Sequence, residues 1–530
     1  MTLLRTALLS SMFALVMMLT ACDDSSTSEE QAPAQESVLT LKVIAGSELK
    51  DIEPMLATIQ QQTNIKLEMH YIGTLDGAEK IVLGQEHYDL AWFSHAKYLS
   101  LLQEDNKVIH GQEKIGLSPV IPAVKESLAR QWGWVNNPDV TWSDIAEKVK
   151  SGELKYAMSD PTASNSGFST VMSVQAAFSN AGDAITAQDV DAEKLKSFFS
   201  GHDVTSGSSG FLAETYLRDQ NRLGAIFNYE SILMDLNRNP NLQEKLVLIY
   251  PKEGVVTADY PLILLAQNQN ENYQKLITYL KAPAFQTWMM NNTDRRPVNT
   301  TVALGEQFPK GYLMDLPFPA NIDTVNEILF AYLDDRRKPS HSFFVLDLSG
   351  SMQGKRIESL KRAINNLAGD DQSITGKFSR FRNRERVTII TFNHSIIGEY
   401  EFNVTKDGSS IQKIREYISG LKPQGGTAIF TALQRAYEKA RLAKDADPDR
   451  FYSIVLMSDG INNDGISYDQ FNDFYIINSD YVAGVRTFPV LFGNANQTEM
   501  EQVANLTGGR VFDSRKTSLA QAFKQIRGYQ

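Results

Sequence analysis

Apolar positions along this chain fall into short runs separated by helical spacings. Leu39 to Ala45 alternates and then turns apolar, which predicts a strand running into Gly46-Ser47. Ile52, Met55, Leu56 and Ile59 then recur at the 3.6-residue helical period, Ile65 to Ile72 reads as a second strand, and after another helix Tyr88 to Phe93 reads as a third, ending at Ser94. Strand, helix and strand in regular alternation predict parallel βαβ units. The alternation resumes from Ser342. Phe343 to Leu346 is a run apolar on both faces, as a buried strand requires. It is followed by a helix carrying Ile357, Leu360, Ile364 and Leu367, a strand from Val387 to Phe392, a helix ending near Ser419, and a helix with Ile429, Leu433, Ala436 and Ala440. The apolar run Ile454–Met457, the strand Thr487–Phe492 and a closing helix from Ser518 complete a doubly wound sheet.

Between these regions, Leu316 to Ser340 holds three prolines, a helical patch at Val325, Ile328, Leu329 and Tyr332, and the charge cluster Asp334 to Lys338, and it is read as a connector. At the other end, residues 23–37 carry no large apolar side chain and cannot offset the cost of ordering. They are read as a tether reaching roughly 20 Å. The length of 530 residues is too great for one core. A net charge of −11 without long Lys/Arg runs argues against nucleic acid as a partner.

Chemistry concentrates where the strand Phe343–Leu346 ends. Asp347, Ser349 and Ser351 place oxygens at every second position, and hard divalent cations take carboxylate, hydroxyl and water oxygens. Two further loops bring oxygens at helix and strand ends: Gly425-Gly426-Thr427 and Ser458-Asp459-Gly460. Rival motifs fail on their residues. Gly350 to Lys355 is one residue short of a phosphate loop and has Arg356 where a magnesium-binding hydroxyl belongs. A phosphoryl-aspartate site calls for a second Asp where Ser349 stands, and a calcium loop at Asn462–Gly465 has Gly460 in place of its first Asp. Together Asp347, Ser349, Ser351, Thr427 and Asp459 resemble the metal-ion-dependent adhesion site of von Willebrand factor type A domains. That resemblance implies a Rossmann-like domain over residues 342–530 holding Mg²⁺, with Mn²⁺ or Ca²⁺ as substitutes, and an open coordination position completed by an acidic side chain of a protein partner.

The strands of residues 38–94 and the pieces after them, Ser118–Lys125, Trp142–Val149, Tyr156–Phe168, Asp259–Leu265 and Arg295–Asn299, follow an order similar to the two-lobed, class II periplasmic solute-binding proteins, to about residue 315. The fold class expected is therefore α/β, a two-lobed binding-protein-like domain at 38–315, the connector at 316–341, and the von Willebrand-type domain. Thr162, Asn165, Ser166 and their neighbours precede a helix at Phe168, and a helix N-terminus attracts oxyanions. Ser47 and Ser94 are expected across the cleft, with Tyr229 contributing to a site for a small molecule or oxyanion; each of these residue types also caps helices and shapes turns.

Residues 1–22 carry Arg5, an apolar stretch through Leu19, and Leu-Thr-Ala-Cys22, which resembles the bacterial lipobox. The resemblance implies that the only cysteine, Cys22, is lipidated and anchors the protein to a membrane without crossing it, and Asp23 resembles an inner-membrane retention signal. The expected location is thus the periplasmic face of the bacterial inner membrane. No thiol beyond Cys22, no convincing Ser-His-Asp set and no zinc-type spacing among the seven histidines points to catalysis. The function expected is non-enzymatic recognition of an envelope protein through a metal; the alternative is the solute-binding component of an ABC-type transporter.

Overall fold

Three sheets account for the strands described below, and alternation of side chains decides which faces they cover. The computed structural model describes residues 38–103, 107–179, 185, 191–309 and 313–530. Cys22, the leader and the tether lie outside the described residues. No described helix is long and apolar enough to cross a membrane.

The strands β1 (Leu39–Ala45), β2 (Ile65–Tyr71), β3 (Leu90–Trp92) and β4 (Gly111–Lys114) lead into the long β5 (Gly116–Lys125). After these come β6 (Tyr156–Met158), β7 (His202–Val204), β8 (Ala225–Tyr229), β9 (Leu246–Leu248), β10 (Thr257–Ala258), β11 (Pro261–Leu264) and β12 (Arg296–Pro297). The first sheet has the order β2-β1-β3-β11-β4, and β11 runs antiparallel to both neighbours. The second is built on β10-β5-β8-β6-β7, with β9 and β12 also paired to β5. The chain leaves the first lobe through β5 and returns from β10 to β11, a crossing held by the Ser94 carbonyl, which accepts from the backbone N–H groups of Asp259 at 2.9 Å and Tyr260 at 3.0 Å. This is the two-lobed architecture expected for the N-terminal region. Local chemistry starts its helices: the Thr141 hydroxyl accepts from Asp144 N at 3.0 Å while Asp144 accepts from Thr141 N at 2.8 Å, a capping box that sets the helix Trp142–Lys150.

The C-terminal sheet comprises β13 (Ser340–Asp347), β14 (Arg386–Phe392), β15 (Ile396–Asn403), β16 (Phe451–Ser458), β17 (Arg486–Leu491) and β18 (Phe512–Asp513), in the order β15-β14-β13-β16-β17-β18. Phe343 and Val345 pack into the core on one face, Phe344 and Leu346 into the core on the other, which is why the β13 sequence is apolar throughout. This is the Rossmann-like arrangement expected for the C-terminal region. The antiparallel edge strand β15 is absent from the sequence reading. Its Ile397, Tyr400, Glu401 and Asn403 are exposed and its other residues only part-buried, and the apolar signal is correspondingly weak.

The helical part of the stretch read as a connector packs against the second lobe. Val325, Ile328, Leu329 and Tyr332, on the helix Ile322–Ala331 and the turn after it, are buried in the same apolar cluster as Phe198, Phe199 and Phe227 of the second lobe. Tyr332 Oη lies 3.1 Å from His202 Nδ1, while His202 Nε2 lies 2.8 Å from the Met158 carbonyl. Beyond it, Arg337 and Arg527 both donate to Glu385, at 2.7 Å each, in a fully buried triad. Burial alone would raise the Glu385 carboxyl, but the Arg527 and Arg337 guanidiniums overcome that and hold it below the ordinary carboxylate range.

Two outcomes follow from these buried groups. Glu385→Ala leaves two buried guanidiniums without their counter-ion and should cost about 3–5 kcal/mol, read as a lowered midpoint of urea unfolding. Burial also pushes His202 down to about 4 and His95 down to about 3. Both are neutral when folded and take up protons only on unfolding between their usual value near 6.5 and the depressed ones. Stability should therefore fall as pH is lowered through 6.5 toward 4, and His202→Asn should flatten part of that slope in thermal melts across the range.

Candidate metal centre and ligand cleft

Asp347 closes β13 with its side chain buried, and two local bonds orient it. Its Oδ1 accepts from Ser349 N at 2.7 Å and its Oδ2 accepts from the Ser458 hydroxyl at 2.6 Å. Ser349 Oγ stands 2.9 Å from Ser351 Oγ, and Ser351 Oγ donates to Asp459 Oδ1 at 2.7 Å. Thr427 comes from the third loop: its N–H donates to Asn463 Oδ1 at 2.8 Å, and its carbonyl accepts from Asn463 N at 3.0 Å. The loops are joined by backbone, since Gly350 N donates to the Gly425 carbonyl at 2.9 Å. A methyl group on Gly460 would lie 3.7 Å from Thr427 Oγ1 and 3.8 Å from Ser351 Oγ, so both hydroxyls converge on the Asp459 loop.

The structure thus brings together the five oxygen-bearing residues named from the sequence, at the C-terminal ends of β13 and β16, where parallel sheets place their sites. Two carboxylates and three hydroxyls form a donor set suited to a hard divalent cation with retained waters. Asp347 and Asp459 are fully buried whereas Ser351 is exposed, so the cluster opens to solvent on one side. Burial raises the Asp347 carboxyl, the Ser458 and Ser349 bonds work against that, and the charge of Asp459 adds to it.

Sequence reasoning missed one participant. Arg356, noted only as the residue that spoils a phosphate loop, pairs through its guanidinium with Asp459 Oδ2 and lies 3.4 Å from the Ser351 carbonyl. Its position near the start of the helix Lys355–Asn365 was the available signal, because that helix begins just beyond the Asp-x-Ser-x-Ser turn.

A cavity of about 820 Å³ lies where the two lobes meet the C-terminal domain: its lining includes Ser47, Thr162, Ser164 and Asn165 of the lobes and Arg510, Gln521, Lys524 and Tyr529 of the C-terminal domain. The other residues named for the cleft sit behind this wall. Ser94 is buried at the crossover. The Tyr229 hydroxyl accepts from Asn165 Nδ2 at 3.1 Å, and Ser166 Oγ lies 2.7 Å from Ser159 Oγ within the second lobe. Glu48 and Asp51, which the sequence reading did not name, line the opposite side. Burial raises both carboxyls, and Asp51 accepts from the buried Arg295 at 2.7 Å. The cleft therefore sets hydroxyls and an amide on one wall against carboxylates on the other, a mixed donor and acceptor set for a small polar molecule.

Residues 343–526 match the family model of the von Willebrand factor type A domain, and residues 41–291 match that of a bacterial extracellular solute-binding protein. Among curated proteins, an uncharacterized protein of Synechocystis sp. is 30% identical over 36% of this chain and 42% of its own length. The inter-alpha-trypsin inhibitor heavy chain H2 of Mesocricetus auratus is 28% identical over 31% of this chain and 15% of its own. The chain thus spans less than half the length of these relatives. Among solved structures, a periplasmic binding protein from Actinobacillus pleuropneumoniae aligns at 15% identity and a TM-score of 0.42, covering 56% of this chain and 98% of that one. A ferric binding protein from Campylobacter jejuni aligns at 13% and 0.42, covering 55% and 98%. The chain therefore joins a bacterial solute-binding domain to a von Willebrand factor type A domain.

Proposed function

We propose that this protein is a non-catalytic recognition component of the bacterial envelope, anchored through lipid on Cys22, that captures a protein partner through a divalent cation. Asp347, Ser349, Ser351, Thr427 and Asp459 hold the ion, Mg²⁺ or a similar hard cation, and an acidic side chain of the partner completes its coordination. The observation that carries this reading is the convergence of those five side chains from three loops, with Ser351 Oγ 2.7 Å from Asp459 Oδ1 and 2.9 Å from Ser349 Oγ. An exposed Ile461, 57% accessible, follows the Asp459 loop and supports a partner surface beside the ion. The match to an extracellular solute-binding family supports an extracytoplasmic location, and the cavity between the lobes supports binding of a small polar solute. In this scheme Arg356 acts as the counter-charge of Asp459 when the ion is absent and gives way to it on binding.

Calorimetric titration of the full chain with Mg²⁺ or Mn²⁺ tests the assignment. Binding is expected in the wild type and should be lost in Asp347→Ala, which removes one of two carboxylates from the site; equal affinity in the two would remove the metal reading. Arg356→Gln should bind the ion about fivefold more tightly, the equivalent of releasing one partly exposed ion pair. Partner capture from envelope extracts, measured with and without EDTA, should depend on the ion and fail in Asp459→Ala.

A further inference from the structure

The von Willebrand-type domain does not stand apart from the two lobes: it touches both of them, at the rim of the cleft, through the helix Leu519–Arg527 and the turn that follows it. On the first lobe, Asp76 pairs with Lys524 at 2.9 Å and accepts from Gln521 Nε2 at 2.9 Å. Glu79, one helical turn on, accepts from Ile374 N at 2.6 Å and from the Thr375 hydroxyl. On the second lobe, Asp219 pairs with Arg486, and Arg218 donates to the Asn505 carbonyl at 3.3 Å. Carboxylates of both lobes thus meet cations of one domain, a complementary set that fixes orientation.

At the centre of this interface three backbones come too close for side chains. A methyl group on Gly73 of the first lobe would stand 2.6 Å from the Ala163 carbonyl oxygen of the second. One on Gly528 would stand 2.5 Å from Ala163 Cβ and 3.3 Å from Gly207 Cα, and one on Gly207 would stand 2.3 Å from the ring of Tyr529. The Tyr529 ring is buried there against Phe211 of the second lobe, at 5.5 Å between centroids, and its hydroxyl accepts from Arg510 at 2.8 Å. Ala163 and Gly207 lie on the same loops that supply Thr162, Ser164 and Ser208 to the cavity wall.

We propose that the Gly528-Tyr529 turn and Lys524 form a latch that holds the two lobes against each other, so that seating of the von Willebrand-type domain and occupancy of the cleft are coupled. Opening the lobes parts Gly73 from Ala163 and separates the Asp76 and Gly207 anchors, which one rigid helix cannot follow on both sides. A solute that bridges the walls favours the same arrangement that the latch favours, and each then strengthens the other, since coupling between two sites is reciprocal. The inference rests on packing and not on the metal reading.

Hydrogen exchange on the full chain tests the latch without a known solute. In Tyr529→Ala and Gly207→Ala, amides of the first-lobe helix Thr74–Val82 and of the second-lobe segment 162–169 should exchange faster together, by about tenfold, while β13 and β16 keep their protection. Faster exchange confined to the helix Leu519–Arg527, with both lobe segments unchanged, would overturn the proposal. Should either variant lose protection in β13 and β16 as well, Lys524→Gln, which removes the Asp76 pair and the bond from Lys524 to the Thr375 hydroxyl within its own domain, decides by the same comparison: both lobe segments respond or the latch does not exist.

Discussion

Glu385 is the group on which the arrangement of the C-terminal half depends. Two guanidiniums, from Arg337 at the end of the packed connector and Arg527 at the end of the last helix, meet its carboxylate away from water. Neither arginine has an inexpensive alternative, because a buried cation without a counter-ion costs several kcal/mol. The triad therefore ties the segment that leaves the second lobe to the helix that returns to the cleft. Through that tie the position of β13, which follows Arg337 within a few residues, and the position of Tyr529, which follows Arg527, are set by one carboxylate.

The two sites answer different electrostatic problems. At the strand ends Asp347 and Asp459 are buried beside each other, and like charges in a poorly solvated place call for a counter-charge. Arg356 meets part of that demand for Asp459, the hydroxyl of Ser458 part of it for Asp347, and a divalent ion would meet the whole. In the cleft, by contrast, Asp51 already has Arg295, itself stacked over Tyr260 with 4.3 Å between the guanidinium and the ring centroid. Glu48 beside it has no such pair and burial raises its carboxyl, so polar selectivity there is shared between that carboxyl and the hydroxyls and amide of the 162–165 loop.

Much of this was legible in the order of residues. A strand buried on both faces has to be apolar throughout, so β13 and β16 announce themselves, and the oxygens that follow them mark where the apolar run reaches solvent. The Asp-x-Ser-x-Ser spacing marked oxygens just past the strand end, and it is a turn rather than strand alternation that gathers them: Asp347 closes β13, Ser349 N donates to its Oδ1, and Ser351 lies in the short helical turn Gly350–Met352. Thr427 and Asp459 were legible as candidates since each sits at an element boundary with glycine beside it. The edge strand β15 was not, because an edge strand with one wet face carries only a weak apolar period.

What the sequence by itself determined, then, is each unit: the βαβ alternation and the oxygen-rich turns, which follow from local periodicity and from the chemistry of neighbouring residues, and the two lobes, which follow from the resemblance to solute-binding proteins. Only the tertiary structure decided how they are combined. The pairing of Arg356 with Asp459, of Asp76 with Lys524 across 448 positions, and the seat of Tyr529 on Gly207 depend on distance in space, and nothing in the local pattern of a surface lysine or a loop glycine distinguishes a partnered residue from a solvated one. The connector shows the same limit: its apolar helical patch and charges read as a stiff link, while the surface on which Val325, Leu329 and Tyr332 are buried belongs to the second lobe and is not legible locally.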